Sequence, residues 1–438
     1  MERETKRIER STFLKGTAAL GLAGVAATSL PVRMAEAASG QTLVYWNLFS
    51  GGDGGRMITM EKDFTAANPS IGLKAATLAW GTPYYTKLTT STVAGKAPDV
   101  AIAHMTRLPA YAPVGLLEPF DLAALAKYDI TPSKFVPGVW NKGNFGGKQY
   151  AIPLDTHPFV NYYNTEICKK AGLTDASGKL KPLVGAAAWM DAFKAVQKVT
   201  GKYALGFSTV NDVTPWRLFY GLYTQAGGKV LSADGKSVLI DTAKATKVLD
   251  FIGQLGATNI VSPSAAYADS IAQFSSGKVG FMWQGEWEST TFETSKTPFD
   301  MGLFPNIFGS YATQGDSHSF VIPRQKSQDP AKLDAVLKFI SFLLKDSLVW
   351  AAGGHIPAYL PIATSAAYKA LSPQSHYAGE AQYVTYDPTA WWCGSGSQFE
   401  SDAGSYFASV IQGHSTSAKA VSQLVADIQK YINTPQPG

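Results

Sequence analysis

The chain has 438 residues, of which 45% are hydrophobic and 16% charged, and its formal net charge at pH 7 is +5. This length exceeds that of a single ordinary core, so two or more domains are expected. The composition excludes an intrinsically disordered chain, and the absence of a clustered Lys/Arg run argues against nucleic-acid binding.

The first 37 residues have the pattern of an export signal peptide. Basic residues precede the apolar stretch GTAALGLAGVAATSL (16–30), which is too short to span a bilayer permanently, and AEA at 35–37 fits a cleavage site. ERSTFLKG resembles a twin-arginine signal, but Ser11 stands where the second arginine belongs, so the export route stays open. No cysteine stands at the end of the apolar stretch or at the predicted cleavage site. The sequence therefore predicts a free periplasmic or extracellular protein.

Strands and helices alternate in the region that follows. TLVYWNLF (42–49) predicts a strand, after which we expect a glycine loop and a helix over 56–69. The pattern then predicts a strand at 71–80, a helix at 83–96, a strand at 99–104 and a helix at 107–121. Such alternation is typical of a parallel or mixed sheet with helices on its faces.

Ligands of such sheets bind beyond the carboxyl ends of the strands. Here those ends are the stretch from Asn47 to Asp53, Trp80 and His104. GGDGGR places four glycines around Asp53, just before the predicted helix, whose first N–H groups lack intrahelical partners. Asp53 fits a helix N-cap and a ligand contact equally well.

A second α/β region follows the loop-rich stretch 141–159. Periodicity predicts a helix at 187–200, a strand at 203–209, helices at 215–228 and 243–256, a crossing strand at 318–323, and helices at 329–355 and 418–432. The chain has two cysteines, Cys168 and Cys393. They are compatible with either a disulfide or two separate buried thiols.

Established catalytic and metal-binding motifs are missing from the sequence. There is no HExxH, CxxC, GxSxG or P-loop pattern. No pair at metal-ligand spacing occurs among the histidines His104, His157, His318, His355, His376 and His414. The sequence therefore predicts no catalytic residue, no metal and no cofactor.

One enzyme hypothesis survives at WQGEWE (283–288). A glycosidase needs two carboxylates on either side of a sugar, but Glu286 and Glu288 are two residues apart and do not face each other across a substrate. A partner such as Asp155 would have to come from elsewhere. The same residues suit binding without chemistry, because sugar rings lie on aromatic faces and carboxylates accept hydroxyl hydrogen bonds. Tryptophans at predicted strand ends or in loops are Trp46, Trp80, Trp283, Trp287, Trp391 and Trp392.

Several stretches match a known family in order and spacing: VYWNLFSGGDGGRMITMEKDFTAANP, LTTSTVAGKAPDVAIAH, AYAPVGLLEPFD, YAIPLDTHPFVNYYNTEICKKAGL, FSSGKVGFMWQGEWE and WAAGGHIPA. With these stretches the chain resembles a family 1 extracellular solute-binding protein, the carbohydrate receptor of an ABC importer. The resemblance covers nearly all of 42–432.

The resemblance implies an α/β, two-lobed periplasmic-binding-protein fold. Each lobe would be a mixed sheet flanked by helices, with the ligand cleft between the lobes. The implied boundaries are 41–152 and 317–362 for the N-terminal lobe, 156–312 and 363–438 for the C-terminal lobe, and hinges near 152–156 and 313–323.

The resemblance also implies a non-enzymatic receptor that delivers a mono- or oligosaccharide to the transmembrane subunits of an ABC permease, and we expect a monomer. A glycerol-phosphodiester or polyol receptor and a secreted carbohydrate-active enzyme stay as alternatives. WWCGSGS (391–397) lacks the arginine of glycerol-phosphate receptors, which favours a neutral saccharide. The implied ligand contacts are Asn47, Asp53, Trp80, His104, Asp155, Trp283, Glu286, Trp287, His318, His355 and Trp392.

Overall fold

A computed structural model describes residues 33–35, 40–210, 212–327 and 329–437. The predicted signal peptide lies outside these residues except for 33–35. Across the described ranges, no helix has both the length and the apolar content that a membrane crossing requires.

The strands are short, apart from one of ten residues. In chain order they are β1 (Arg33–Ala35), β2 (Thr42–Asn47), β3 (Gly72–Thr77), β4 (Val100–His104), β5 (Leu117–Glu118), β6 (Asn144–Phe145), β7 (Lys148–Gln149), β8 (Ile152–Pro153), β9 (Asp155–Asn164), β10 (Leu205–Gly206), β11 (Phe281–Gly285), β12 (Phe299–Gly302), β13 (Thr313–Asp316), β14 (His318–Pro323), β15 (Ile356–Pro357) and β16 (Val384–Thr385).

The helices range from single turns to 17 residues. In chain order they are α1 (Gly51–Ala67), α2 (Thr82–Val93), α3 (Leu108–Tyr111), α4 (Leu122–Ala126), α5 (Pro137–Lys142), α6 (Thr165–Lys170), α7 (Gly185–Thr200), α8 (Thr214–Gln225), α9 (Thr242–Ala257), α10 (Tyr267–Ser275), α11 (Ser289–Thr294), α12 (Pro330–Lys345), α13 (Ser347–Ala351), α14 (Leu360–Ala363), α15 (Ala366–Lys369), α16 (Gln398–Ile411) and α17 (Ser417–Ile432). Segments of 3-10 helix lie at Met105–Arg107, Pro132–Lys134, Glu286–Glu288 and Gln374–Gln382.

Two mixed sheets form the framework. The first has the strand order β1-β3-β2-β4-β14-β5, with β8 also paired to β14. Its strands β2, β3 and β4 are parallel, whereas β14 runs antiparallel to β4. The second has the order β10-β11-β9-β13-β16, with β12 and β15 also paired to β9. The predicted α/β fold with two lobes, each built on a mixed sheet, is confirmed.

The chain crosses between the sheets at two neighbouring places. β8 belongs to the first sheet and β9 to the second, so one crossing lies at 153–155. β13 belongs to the second sheet and β14 to the first, so the other lies at 316–318. Every residue of β9 and β14 is buried. The crossings fall inside the predicted hinges, while the lobe boundaries themselves stay a prediction.

Each sheet has its own hydrophobic core. One cluster of buried residues draws on 43–154 and 320–359, and a second draws on 159–307 and 392–428. The all-buried sequence VAIAH of β4 fits a strand covered by helices on both faces. Cys168 and Cys393 are both free and both buried in the second core. The alternative of two separate buried thiols is therefore confirmed.

The largest difference from the sequence prediction concerns the glycine stretch, which is helical rather than a loop. Helix α1 begins at Gly51, five residues before the predicted start, and its N-cap is Ser50. Asp53 is therefore inside the first turn and is not the cap. A Cβ on Gly52 would lie 2.7 Å from Cβ of Thr290, so the glycine permits close packing against α11. Tertiary packing thus outweighs the low helix propensity of glycine.

Three other predicted elements were too long. The predicted helix at 329–355 ends at Lys345 as α12, and the short, separate α13 follows it. The predicted helix at 107–121 is limited to the short α3, because Pro113 and Gly115, the latter at φ +66°, interrupt it. Of the predicted strand at 203–209, only Leu205–Gly206 pairs with a neighbour, β11. The long helices α7, α8, α9, α12 and α17 lie where their apolar periodicity predicts them.

Candidate functional site

A cavity of about 510 Å³ lies between the two lobes, within the usual size range of small-molecule sites. It is bounded by the start of α1, the start of α8, the turn after β11 and the crossing strands. We call it the interlobe cavity. Its lining residues are Leu48, Phe49, Ser50, Gly51, Gly52, Asp53, Trp80, His104, His157, Asp212, Val213, Thr214, Arg217, Tyr267, Trp287, Glu288, Thr291 and His318.

Two tryptophans that follow strands of different sheets give the interlobe cavity its aromatic surfaces. Trp80 precedes α2 in the first lobe and is 37% exposed, the largest exposed aromatic group of the cavity. Trp287 follows β11, and its Nε1–H donates to the Tyr267 hydroxyl at 2.8 Å. Tyr267 in turn donates to Oε1 of Glu288 at 2.6 Å. This chain of hydrogen bonds fixes the Trp287 ring against the cavity.

Arg217 connects the two tryptophans. Its guanidinium lies 5.3 Å from the ring centre of Trp80 and 5.7 Å from that of Trp287, within cation–π range of both. Its Nε also lies 3.5 Å from Oε1 of the buried Glu400. Burial disfavours the charge, but Glu400 and Asp387 raise the pKa of Arg217 above its ordinary value. The cavity therefore contains a permanent cation whose charge is partly neutralised from behind.

Three histidines surround one buried carboxylate beside the cavity. Nδ1 of His157 lies 3.1 Å from Oδ1 of Asp155, and Nδ1 of His318 lies 2.8 Å from Oδ2. Nδ1 of His355 lies 3.2 Å from the same Oδ2, to which Trp350 Nε1–H also donates at 2.7 Å. Asp155, His157, His318 and His355 are at most 5% exposed, and we call them the histidine cluster.

Charge in the histidine cluster is unevenly distributed. Burial alone would raise the pKa of Asp155, but His318 and His157 lower it well below the usual range. Burial lowers the pKa of His157 to about 3. For His355 burial again disfavours the charge, yet Asp53 and the hydrogen bonds around it raise its pKa well above the ordinary value. These shifts favour an ionised Asp155, a neutral His157 and a protonated His355.

Glu286 lies next to this cluster and not in the cavity. Its Oε1 is 3.0 Å from Nδ1 of His355, and the side chain is fully buried. Burial raises the pKa of Glu286 to about 8. Glu288, in contrast, lines the cavity. The two glutamates therefore point to different places, as a glycosidase pair acting on one bond would not.

The structure brings together eight of the eleven side chains predicted to contact the ligand. Five of them line the interlobe cavity: Asp53, Trp80, His104, Trp287 and His318. Three lie behind its wall, where His355 joins the lining residue Asp53 to the buried pair Asp155 and Glu286.

Six predicted contacts therefore do not line the cavity: Asp155, Glu286 and His355 lie behind its wall, and three others lie elsewhere and are corrected. Asn47 is buried, with its amide donating to Glu61 and its carbonyl accepting from Phe49 N–H, so it orders the turn before α1. Trp283 is fully buried in the second core, because β11 is covered on both faces. Trp392 stacks on Tyr431 at 5.1 Å in the same core.

Sequence reasoning missed several lining residues. Arg217 had a detectable signal, a lone cation in the otherwise apolar stretch PWRLFYGLY of α8. His157 stands two residues after Asp155, on the same strand face, but its place in the cluster depends on His318 of β14, whose ring stacks on it at 4.0 Å between centres. Asp212 lies in a loop and Tyr267 is the first residue of α10, and neither belongs to a periodic pattern that could have singled it out.

Comparison with known proteins places this geometry in context. Residues 59–381 match the family model described as bacterial extracellular solute-binding protein. A binding protein of Brucella abortus is 26% identical over 343 residues, which cover 73% of this chain and 78% of the relative. A maltooligosaccharide ABC transporter solute-binding lipoprotein of Streptococcus pneumoniae is 27% identical over 292 residues, 62% of each chain.

A solved structure has the same fold. The GacH receptor of Streptomyces glaucescens, whose structures include a complex with acarbose, superposes with a TM-score of 0.78 at 16% identity. The match covers 90% of this chain and 98% of the receptor. At this identity the likeness concerns the fold alone.

Proposed function

The chain belongs to the bacterial extracellular solute-binding protein family, and from this premise we propose that it is the saccharide receptor of an ABC importer. It captures a neutral mono- or oligosaccharide in the interlobe cavity and delivers it to the membrane permease. It acts outside the cytoplasmic membrane, as an exported monomer, and does not cleave its ligand.

The observation that supports this proposal best is the pairing of aromatic and carboxylate surfaces in the interlobe cavity. Trp80 and Trp287 offer flat apolar faces for the C–H faces of sugar rings. Asp53, Asp212 and Glu288 offer acceptors for hydroxyl groups, in charge-assisted hydrogen bonds. Together these two kinds of surface match the two chemical faces of a pyranose.

Charge in the cavity favours a neutral ligand over a phosphorylated one. Three lining carboxylates face one arginine, and Arg217 is already paired with Glu400. A phosphate would meet more repulsion than attraction in this cavity. The named relatives are consistent with this choice, since one binds maltooligosaccharides and another structure contains acarbose.

The placement of the carboxylates supports the proposal that the protein binds its ligand without cleaving it. Glu286 faces His355 and lies outside the cavity, so the WQGEWE segment supplies one cavity carboxylate and not two. The matched relatives are named as binding proteins or receptors.

A thermal-shift screen of the purified protein tests the proposal. The panel contains mono-, di- and trisaccharides, polyols and glycerol phosphates. Ligand at 100-fold excess over Kd should stabilise the folded state by about 2.7 kcal/mol. We expect stabilisation by one neutral saccharide series. Stabilisation by glycerol phosphates alone would show that the ligand class is wrong, and glycan cleavage without reversible binding would refute the receptor function.

A further inference from the structure

The histidine cluster has the composition and spacing of a metal site. We propose that Asp155, His157, His318 and His355 bind one divalent transition-metal ion, with Zn²⁺ the best match, at the crossing between the lobes. One ligand atom from each of the four residues lies within 4.8 Å of every other. This inference does not depend on the nature of the sugar.

The donor set suits zinc. Three imidazole nitrogens and one carboxylate oxygen give four ligands of the types that Zn²⁺ prefers, and four protein ligands are typical of a closed structural site. The Nδ1 atoms lie 2.8–3.2 Å from the Asp155 oxygens. Ligand atoms of a tetrahedral zinc lie about 3.4 Å apart. The Nδ1–oxygen distances are therefore only a few tenths of an ångström shorter than those of a tetrahedral zinc site.

Hydrogen bonds outside the four ligands have the arrangement that metal sites use. Nε2 of His355 lies 3.0 Å from Oδ1 of Asp53, which keeps a proton on Nε2 and directs Nδ1 towards Asp155. Trp350 Nε1–H donates to Asp155, and its indole stacks on His355 at 4.1 Å between ring centres. A histidine that donates its distal N–H to a carboxylate is characteristic of metal ligands.

Unpartnered atoms also point into the cluster. Nδ1 of His355 and both carboxylate oxygens of Glu286 are buried and make no hydrogen bond of normal geometry within the described residues. Glu286 Oε1 lies 3.0 Å from that Nδ1. A metal ion bound at Nδ1 of His355 would replace the proton that this nitrogen carries and would use an otherwise unpartnered ligand atom. Asp155, whose pKa lies well below its usual range, supplies negative charge for a dication.

The position of the site indicates a structural role for the ion. Asp155 and His157 belong to β9 of the second sheet, His318 begins β14 of the first, and His355 precedes β15. One ion would tie these three segments together where the chain crosses between lobes. His157 and His318 also line the interlobe cavity, so the ion would order one wall of the sugar site.

Equilibrium dialysis of chelator-stripped protein against Zn²⁺, followed by elemental analysis, tests the proposal. We expect one Zn²⁺ per chain, and affinity at least about tenfold lower in both His157→Gln and His318→Gln. His414→Gln, at an exposed histidine remote from the cluster in sequence, is the matched control and should bind as the wild type does. Protein that takes up no Zn²⁺, or cluster variants that bind as tightly as the control, would overturn the proposal.

Substitutions in a buried cluster also threaten folding, so a second measurement uses the unmodified protein. X-ray absorption at the zinc edge should give a four-coordinate nitrogen and oxygen shell at about 2.0–2.1 Å with imidazole scattering. A six-coordinate shell of oxygen alone would contradict the site. Dialysis and X-ray absorption measure the metal and not the saccharide. A negative result for zinc would therefore leave the receptor function untouched, and the reverse also holds.

Discussion

Nε2 of His355 lies 3.0 Å from Oδ1 of Asp53, across 302 residues of sequence. The contact joins the first turn of α1 to the segment between α13 and β15. Asp53 therefore has two roles. Its Oδ1 contacts His355, and the residue also lines the interlobe cavity. The carboxylate proposed to accept a sugar hydroxyl is thus held in place by the histidine cluster.

Asp53→Asn should weaken saccharide binding, because an amide accepts a hydroxyl hydrogen bond less strongly than a carboxylate. A hydrogen bond to a charged group contributes about 1.5–3 kcal/mol, so we expect a loss of roughly 10–100-fold in affinity by isothermal titration calorimetry. Asp191→Asn, at a side chain that is 78% exposed, is the control and should bind normally. Equal affinities in the two variants would remove Asp53 from the site.

Trp80→Ala should lower affinity about tenfold while changing stability little, since its ring is already 37% exposed. Trp80→Phe keeps an aromatic face and should retain part of the affinity. Tyr311→Ala removes a comparably exposed aromatic ring, 44% accessible, that does not line the cavity, and it should have no effect on binding. Calorimetry on the three variants distinguishes ring stacking from general surface effects.

Arg217→Met should destabilise the protein by about 3–5 kcal/mol, because it leaves the buried Glu400 carboxylate without its cation. The double variant Arg217→Met with Glu400→Gln removes both charges and should recover much of that loss. Urea denaturation of the single and double variants measures the coupling. If the double variant is as unstable as Arg217→Met, the pair does not act as a buried ion pair.

Glu380→Gln should reduce the loss of stability that occurs as pH rises from about 4.5 to about 8. Burial raises the pKa of Glu380 to about 8, and only Oε2 has a donor, Phe304 N–H at 2.9 Å. The folded state therefore holds a proton that the unfolded state releases near pH 4.5. The contribution of Glu380 to stability is therefore highest below that pH and falls as pH rises towards 8, by a few kcal/mol. Glutamine stays neutral throughout this range.

Denaturant unfolding from pH 5 to 9 checks this prediction. The wild type should lose more stability over the range than Glu380→Gln. Glu166→Gln, at an exposed position, should follow the wild-type profile. Parallel profiles for all three proteins would contradict a buried, protonated Glu380.

Gly396→Ala should weaken saccharide binding by pushing the two lobes apart where Gly396 meets Gly81. A Cβ on Gly396 would lie 2.6 Å from Cα of Gly81, which belongs to the other lobe, and Gly396 has φ +73°. Gly413→Ala introduces the same backbone strain at φ +74° with nothing within 4 Å of the added carbon. If binding is weaker in Gly396→Ala and unchanged in Gly413→Ala, the loss comes from the contact between the lobes and not from backbone strain.

Elements with a strong local pattern were predictable from sequence. Helix α17 and strand β14 lie where apolar periodicity and β-branched residues indicate them. The helical start at Gly51 was not predictable, because the close approach to Thr290 that makes glycine suitable comes from a segment about 240 residues away.

The candidate site was predictable only in part, for the same reason. The strand ends indicated Asp53, Trp80 and His104, which do line the cavity. The gathering of His157, His318 and His355 around one carboxylate depends on two crossings and a late loop meeting in space. Sequence spacing therefore gave no indication of it. Trp283 was wrongly predicted as a ligand contact at a strand end or in a loop. It lies inside β11, a strand buried on both faces, and its sequence neighbours did not indicate this.

The most direct test of the receptor function is a calorimetric titration of the purified protein with the saccharide that stabilises it most, followed by analysis of the recovered sugar. We expect saturable binding with one site per chain, and ligand recovered intact. Absence of binding heat with every neutral saccharide, or recovery of cleaved sugar, would contradict a non-catalytic saccharide receptor.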